Sequence, residues 1–173
     1  MKKILIGTHN TGKFREISYL LPKKTKKFSA IKLKISSPKE TGKTFSANSK
    51  LKVSYFSNFT KLPVISDDSG LCIKSLKNQP GIYSARWAKK YGSFFNAMKV
   101  ILKKMKNKKN RTATFVCSLS YKKSRGKIVT VTGNIKGKIS HKIIGTKGFG
   151  YDPIFIPNSA KKTFGQMSKI KKI

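Results

Sequence analysis

What most constrains this chain is the alternation of two hydrophobic periods, in which apolar runs of strand length give way to stretches with helical spacing. Lys2 to Gly7 reads as a first strand, entering a turn at Thr8 to Gly12 and then a helix from about Lys13 to Leu21, stopped before Pro22. Phe28 to Ile35 predicts a second strand, with Ile31, Leu33 and Ile35 on one face and Lys32 and Lys34 on the other. Past a turn around Pro38 and Gly42, Thr44 caps a helix running to about Phe59. In it Ala47, Leu51 and Tyr55 form a core stripe beside a polar stripe of Asn48 and Lys52. Pro63 to Ser66 and Leu71 to Leu76 read as two short buried strands with acids on a turn between them. A helix fits Phe94 to Met105, and Thr112 to Tyr121 with Lys127 to Lys138 form a hairpin joined by Lys122 to Gly126. Helices alternating with strands, plus a long hairpin, predict a mixed α/β fold.

At 173 residues the chain fits a single domain, with room for two lobes and a real core. No stretch reaches the roughly 18 apolar residues of a membrane span, and Met1 to Gly7 is too short an apolar run for a signal peptide, so the reading is a cytosolic protein with no membrane partner. Cys72 and Cys117 sit far apart inside apolar runs and are expected as buried free thiols. His9 and His141 add no ligand cluster, which argues against a structural zinc site.

The charge balance is 40 Lys and Arg against 5 Asp and Glu, a net charge of +35. Such a field attracts any polyanion. The bases are nearly all lysine, spread along the chain, with arginine only at Arg15, Arg86, Arg111 and Arg125. Specific phosphate or base recognition favours arginine forks, so a compositional drift explains the charge better than a nucleic-acid-binding stripe. In such a chain the few carboxylates become informative: Glu16, Glu40, Asp67, Asp68 and Asp152.

Four segments carry candidate chemistry. Gly7-Thr8-His9-Asn10-Thr11-Gly12-Lys13 lies between a strand and a helix, where backbone N–H groups, the positive dipole end and the Lys13 charge suit a phosphate. Its Gly-x4-Gly-Lys spacing also matches a P-loop, but Phe14 stands where a P-loop needs Ser or Thr for magnesium, and an ordinary strand-to-helix turn stays open. Asp67-Asp68-Ser69-Gly70 places two acids at a strand end, facing opposite ways, so that one binds metal or activates water while the other is held by hydrogen bonds. It is equally an ordinary turn composition. Arg86 beside Trp87 follows Pro80-Gly81-Ile82-Tyr83-Ser84-Ala85, where a carboxylate or phosphate partner and a plain structural turn are both open. Gly148-Phe149-Gly150-Tyr151-Asp152-Pro153 combines close backbone approach, aromatics that stack on a base and an acid that accepts a hydrogen bond from it, against a glycine-aromatic turn as the alternative.

In order along nearly the whole chain these segments resemble the inosine and xanthosine triphosphate pyrophosphatase family. The matching residues are Thr8, Asn10 and Lys13; Glu40-Thr41-Gly42 with Phe45, Asn48 and Lys52; Asp67 to Leu71; Pro80 to Arg86; and Gly148 to Pro153. The resemblance implies a two-lobed mixed-sheet α/β fold with flanking helices, a cleft between the lobes, and a homodimer. It also implies hydrolysis of ITP, dITP or XTP to the monophosphate and pyrophosphate with Mg2+. By position, Asp68 becomes the general base and a metal ligand, and Glu40 a second metal acid. Thr8, His9, Asn10, Thr11, Gly12, Lys13, Lys52 and Ser69 face the phosphates. Phe149, Gly150, Tyr151 and Asp152 shape the base pocket, and Lys172 falls where the family has a substrate-binding lysine. Two departures bear on this: Ala47 stands where the family often has a second glutamate, and Gln166 where a glutamate is usual. The family pattern continues to a Ser-His-Arg segment that helps read the purine, whereas this sequence stops at Ile173. The expectation is therefore a single domain over 1–173 lacking the family's C-terminal segment, with two readings open: a shortened gene, or impaired base selectivity and activity. The rival readings are a P-loop-type NTPase releasing orthophosphate and a basic nucleic-acid-binding protein without catalysis.

Overall fold

The computed structural model describes residues 2–168 as a mixed α/β fold. Its strands are β1 (Lys3–Ile6), β2 (Lys26–Ser29), β3 (Val64–Ile73), β4 (Gln79–Pro80), β5 (Thr112–Lys122), β6 (Ile128–Ile139) and β7 (Phe155–Pro157). The α-helices are α1 (Thr11–Leu20), α2 (Phe45–Ser57), α3 (Ser84–Lys90) and α4 (Phe94–Lys104). The sheet runs β2-β1-β3-β5-β6-β7, with β4 paired to β3. No helix among the described residues is long and apolar enough to cross a membrane.

The chain divides into two compact units, Met1–Asp68 with Cys117–Gly133, and Ser69–Val116 with Asn134–Ile173. In the first unit β1 pairs in parallel with both β2 and β3, in the registers Leu5↔Phe28 and Leu5↔Val64. Parallel neighbours need a crossover, and α1 supplies it between β1 and β2. Burial on both faces explains why β1 reads as a continuous apolar run, Ile4-Leu5-Ile6. The core here is Leu5, Ala30, Ile35, Val53, Phe56 and Val64.

The second unit is packed around α4, whose Ala97, Met98 and Ile101 recur at helical spacing and meet Leu71, Ile73, Ile139, Ile154 and Phe155. Arg111 staples this unit internally. Its guanidinium donates to the carbonyls of Ile139 (2.7 Å), Met105 (3.0 Å) and Ser140 (2.7 Å), which accounts for one of the four arginines without a ligand. Trp87 packs against the same core. Cys72 and Cys117 are free thiols, each half-buried.

Three expectations about elements are corrected. The second strand ends at Ser29, and the next residues turn: Leu33 N–H donates to Ser29 O, and Ile35 N–H to Ala30 O. The alternation of Ile31, Leu33 and Ile35 therefore does not mark a sheet face, and only Ile35 is buried. The stripe Ala47, Leu51 and Tyr55 is not the buried face of α2; Ala47 is exposed, and Asn48, Ser49, Lys52, Val53 and Phe56 are buried instead. Finally, Asp67 to Gly70 is no turn. Val64 to Ile73 is one strand with the acids at its middle, because apolar residues on both sides of them are buried and the backbone stays extended through Gly70.

Candidate active site

The first turn of α1 is built by its own polar residues. Asn10 has an extended backbone and its Oδ1 accepts from Lys13 N–H at 3.1 Å, while Thr8 Oγ1 accepts from Asn10 N–H at 3.2 Å. That is an N-cap, and it starts the helix at Thr11, two residues earlier than the spacing predicts. Thr11, Gly12 and Lys13 thus form the opening turn, where helix N–H groups lack intrahelical acceptors and no acidic side chain is present. His9 is exposed and its ring stacks at 25° to that of Phe56, centroids 6.1 Å apart. Gly7 lets this turn close, since a Cβ there would run into Phe56 and Ser66 Oγ.

Successive residues of β3 present Asp67 and Asp68 to different helices, as strand alternation requires. Asp67 Oδ2 is 2.7 Å from Lys13 Nζ on α1, with the two side chains only 3% and 14% exposed. Asp68 Oδ2 accepts from Asn48 Nδ2 on α2 at 3.0 Å, and both residues are buried. Helix α2 is capped by Thr44 Oγ1 on Ala47 N–H, and one turn beyond Asn48 it places Lys52, whose Nζ donates to Glu40 Oε1 at 3.0 Å. Asn48 Oδ1 accepts from Gly42 N–H at 2.7 Å. The structure therefore brings together Thr8, His9, Asn10, Thr11, Gly12, Lys13, Glu40, Lys52, Asp67 and Asp68 within the first unit.

Burial raises the pKa of Asp68 above the ordinary carboxylate range, outweighing the Lys52 and Lys13 ammoniums and the Asn48 amide, which lower it; Glu40 pushes the same way as burial. For Lys13 the balance is reversed. Burial works to strip its proton, but the charge and hydrogen bond of Asp67 prevail and hold its pKa above the ordinary value. Cys117, in the same unit, is pushed up to about 11 by burial and by the nearby acids Asp67, Glu16 and Asp68, against Lys13, so its thiol stays protonated and inert.

No group of three His, Cys, Asp or Glu suited to a metal occurs among the described residues. Two carboxylates, Asp68 and Glu40, close enough for Glu40 to raise the pKa of Asp68, do fit a hard oxygen-seeking cation such as Mg2+. Such an ion takes one or two carboxylates and completes its shell with phosphate oxygens and water.

Ser69, Phe149, Gly150, Tyr151 and Asp152 belong to the second unit. Gly148 (φ 80°) and Gly150 (φ 65°) adopt the left-handed conformation that glycine makes inexpensive. Tyr151 is buried, its hydroxyl donates to Ser84 O at 2.9 Å, and its ring meets Phe94 edge-on at 5.2 Å. Burial raises its phenol pKa. Asp152 Oδ2 accepts from Phe149 N–H at 3.0 Å, closing the loop on itself, and Phe149 is half-buried. Lys172 lies outside the described residues. One site residue had no assigned role in the sequence, Asn48. Its signal was there, a polar residue four positions before Lys52 on a helix that has to bury one face.

Fold and site together define a class: a mixed α/β protein that collects scarce carboxylates and two lysines on a unit of parallel strands. The chain belongs to the Ham1 family, whose model matches residues 4–173. A dITP/XTP pyrophosphatase of Rhodopseudomonas palustris is 39% identical over 176 residues, covering 98% of this chain and 84% of that protein. One of Caulobacter vibrioides is 38% identical, covering 98% and 89%. Among solved structures, the Ham1 protein of Staphylococcus aureus is similar with a TM-score of 0.86 at 34% identity, covering 99% of this chain and 89% of that one. The resemblance read from the ordered motifs and the mixed α/β fold both hold.

Proposed function

We propose that this protein is a nucleoside triphosphate pyrophosphatase that hydrolyses ITP, dITP and XTP to the monophosphate and pyrophosphate. The observation that carries the reading is the buried Asp68, held by Asn48 beside the Lys52–Glu40 pair, in a chain whose relatives are named dITP/XTP pyrophosphatases. With Oδ2 taking the Asn48 amide, Asp68 Oδ1 is the atom that receives a proton from the attacking water, and a raised pKa makes it a better base than a solvated carboxylate. The water oxygen bonds to phosphorus, the α–β anhydride breaks, and pyrophosphate leaves. Lys13, Lys52 and Ser69, with the segment from Thr8 to Gly12 that leads into α1, hold the phosphates. Phe149, Gly150, Tyr151 and Asp152 shape the base pocket, Phe149 by stacking, and Lys172 contacts the substrate.

Asp68 and Glu40 would hold Mg2+, which neutralises charge on the phosphates. We assign the protein to the cytoplasm as a homodimer; a solution mass of one protomer would refute the dimer. The rival P-loop reading predicts orthophosphate, and the nucleic-acid reading predicts no turnover. Magnesium-dependent hydrolysis of ITP is therefore measured with both phosphate species resolved. Pyrophosphate is expected from the wild-type chain, with a loss of at least about a hundredfold in Asp68→Asn, the scale of a lost general base. Orthophosphate as product, or equal rates in the two proteins, would overturn the assignment.

A further inference from the structure

The contacts of Asn48 are more specific than a packing role requires. Its carboxamide is fully buried and has one partner on each side: Oδ1 accepts from Gly42 N–H at 2.7 Å, and Nδ2 donates to Asp68 Oδ2 at 3.0 Å. The orientation of the amide is dictated by chemistry. A backbone N–H can only donate, so the oxygen must face Gly42 and the nitrogen must face Asp68. Glycine at position 42 is part of the same device, because a Cβ there would strike Asn48 Oδ1 and the Ala47 side chain.

Gly42 lies two residues after Glu40, and Glu40 is itself tied to Lys52 on the next turn of α2. One amide thus spans the segment carrying one carboxylate and the side chain carrying the other. From this geometry we infer that Asn48 is the positioning residue of the cation site, fixing the Asp68 carboxylate relative to the Glu40-Thr41-Gly42 segment before any ligand arrives. No shorter side chain reaches both partners. Aspartate keeps the bond to Gly42 but sets a second carboxylate oxygen against Asp68 Oδ2. The inference rests on the proposed metal-assisted reading of the site.

The test is a double-mutant cycle on Mn2+ binding by the full chain, read by water-proton relaxation with a saturating non-hydrolysable, methylene-bridged ITP analogue. Asn48→Ala is expected to weaken Mn2+ binding by about tenfold or more, the range for a group that orients a metal ligand. In the Asp68→Asn background the same substitution should change it by less than about twofold, because the ligand it positions is gone. Asn48→Asp, which keeps the shape and the Gly42 bond, should remain folded by circular dichroism and lose Mn2+ affinity through its effect on Asp68. Equal factors in the two backgrounds, unaltered binding in Asn48→Ala, no Mn2+ binding by the wild-type chain, or unfolding of both variants would each overturn the inference. Pyrophosphate release from ITP by the wild-type chain is recorded alongside. Release without coupling removes this inference alone, whereas coupling without release removes the proposed activity and leaves the role of Asn48 standing.

Discussion

Lys13 and Asp67 illustrate what a buried charge requires. Removing either partner leaves the other ionised in a poorly solvated place, so the pair is held together by the penalty of breaking it more than by net attraction. Asp68 differs, because burial dominates its surroundings and raises its pKa. Its folded value lies above the unfolded one, so as pH rises the unfolded chain gives up this proton first. Stability is therefore lost from the unfolded pKa, about 4, upward through the folded value, and the loss is complete above it. Asp68→Asn should accordingly melt at a higher temperature than the wild type at pH 7 without divalent metal, with the gain vanishing below about pH 4. Thermal unfolding at both pH values checks this, and a lower or equal melting temperature at pH 7 would contradict it. The carboxylate proposed as the general base is then one the fold tolerates at a cost.

Among the elements, β1, α1 and β3 set the site through a tight joint. Gly7 ends the β1 segment where Phe56 of α2 and Ser66 of β3 close around it. Gly7→Ala inserts a methyl group into that contact and should destabilise the chain by about 1–3 kcal/mol, the usual range for overpacking. Urea unfolding measures it, and a change below about 0.5 kcal/mol would show that Phe56 can swing away. This joint was only half legible in the sequence. The strand, the turn and the helix that follows announce themselves through local periodicity. The continuous β3 did not, because Asp-Asp-Ser-Gly has the composition of a turn, and pairing with its neighbouring strands together with burial on both faces keeps it extended. Likewise Ile31 and Leu33 alternate like a strand but stay exposed, since the chain turns at Ala30 before a neighbour can pair with them.

For the molecule as a whole, +35 charges on 173 residues imply strong self-repulsion in the compact state. Raising KCl from about 0.1 M to 1 M shortens the screening length from about 10 Å to 3 Å, so the melting temperature should rise with salt. Calorimetry across that series tests it; a flat or falling trend would mean that the lysines are spaced too widely to oppose folding. The same field draws nucleotides and nucleic acid alike, so it selects for negative charge and not for a purine.

What the sequence determined by itself was the α/β class, the capping of α2 by Thr44, the hairpin, and an ordered set of motifs that marked the family. These rest on local periodicity, capping chemistry and spacing, all of which act over a few residues. Tertiary structure alone decided that Asp67 belongs to Lys13, that Asp68 belongs to Asn48, and that the polar stripe of α2 is its buried face. A helix shows its buried side in sequence only when that side is apolar. Here Asn48 and Lys52 are buried because Asp68 and Glu40 meet them there, and partners 20 and 12 residues away leave no trace in the period of the helix itself.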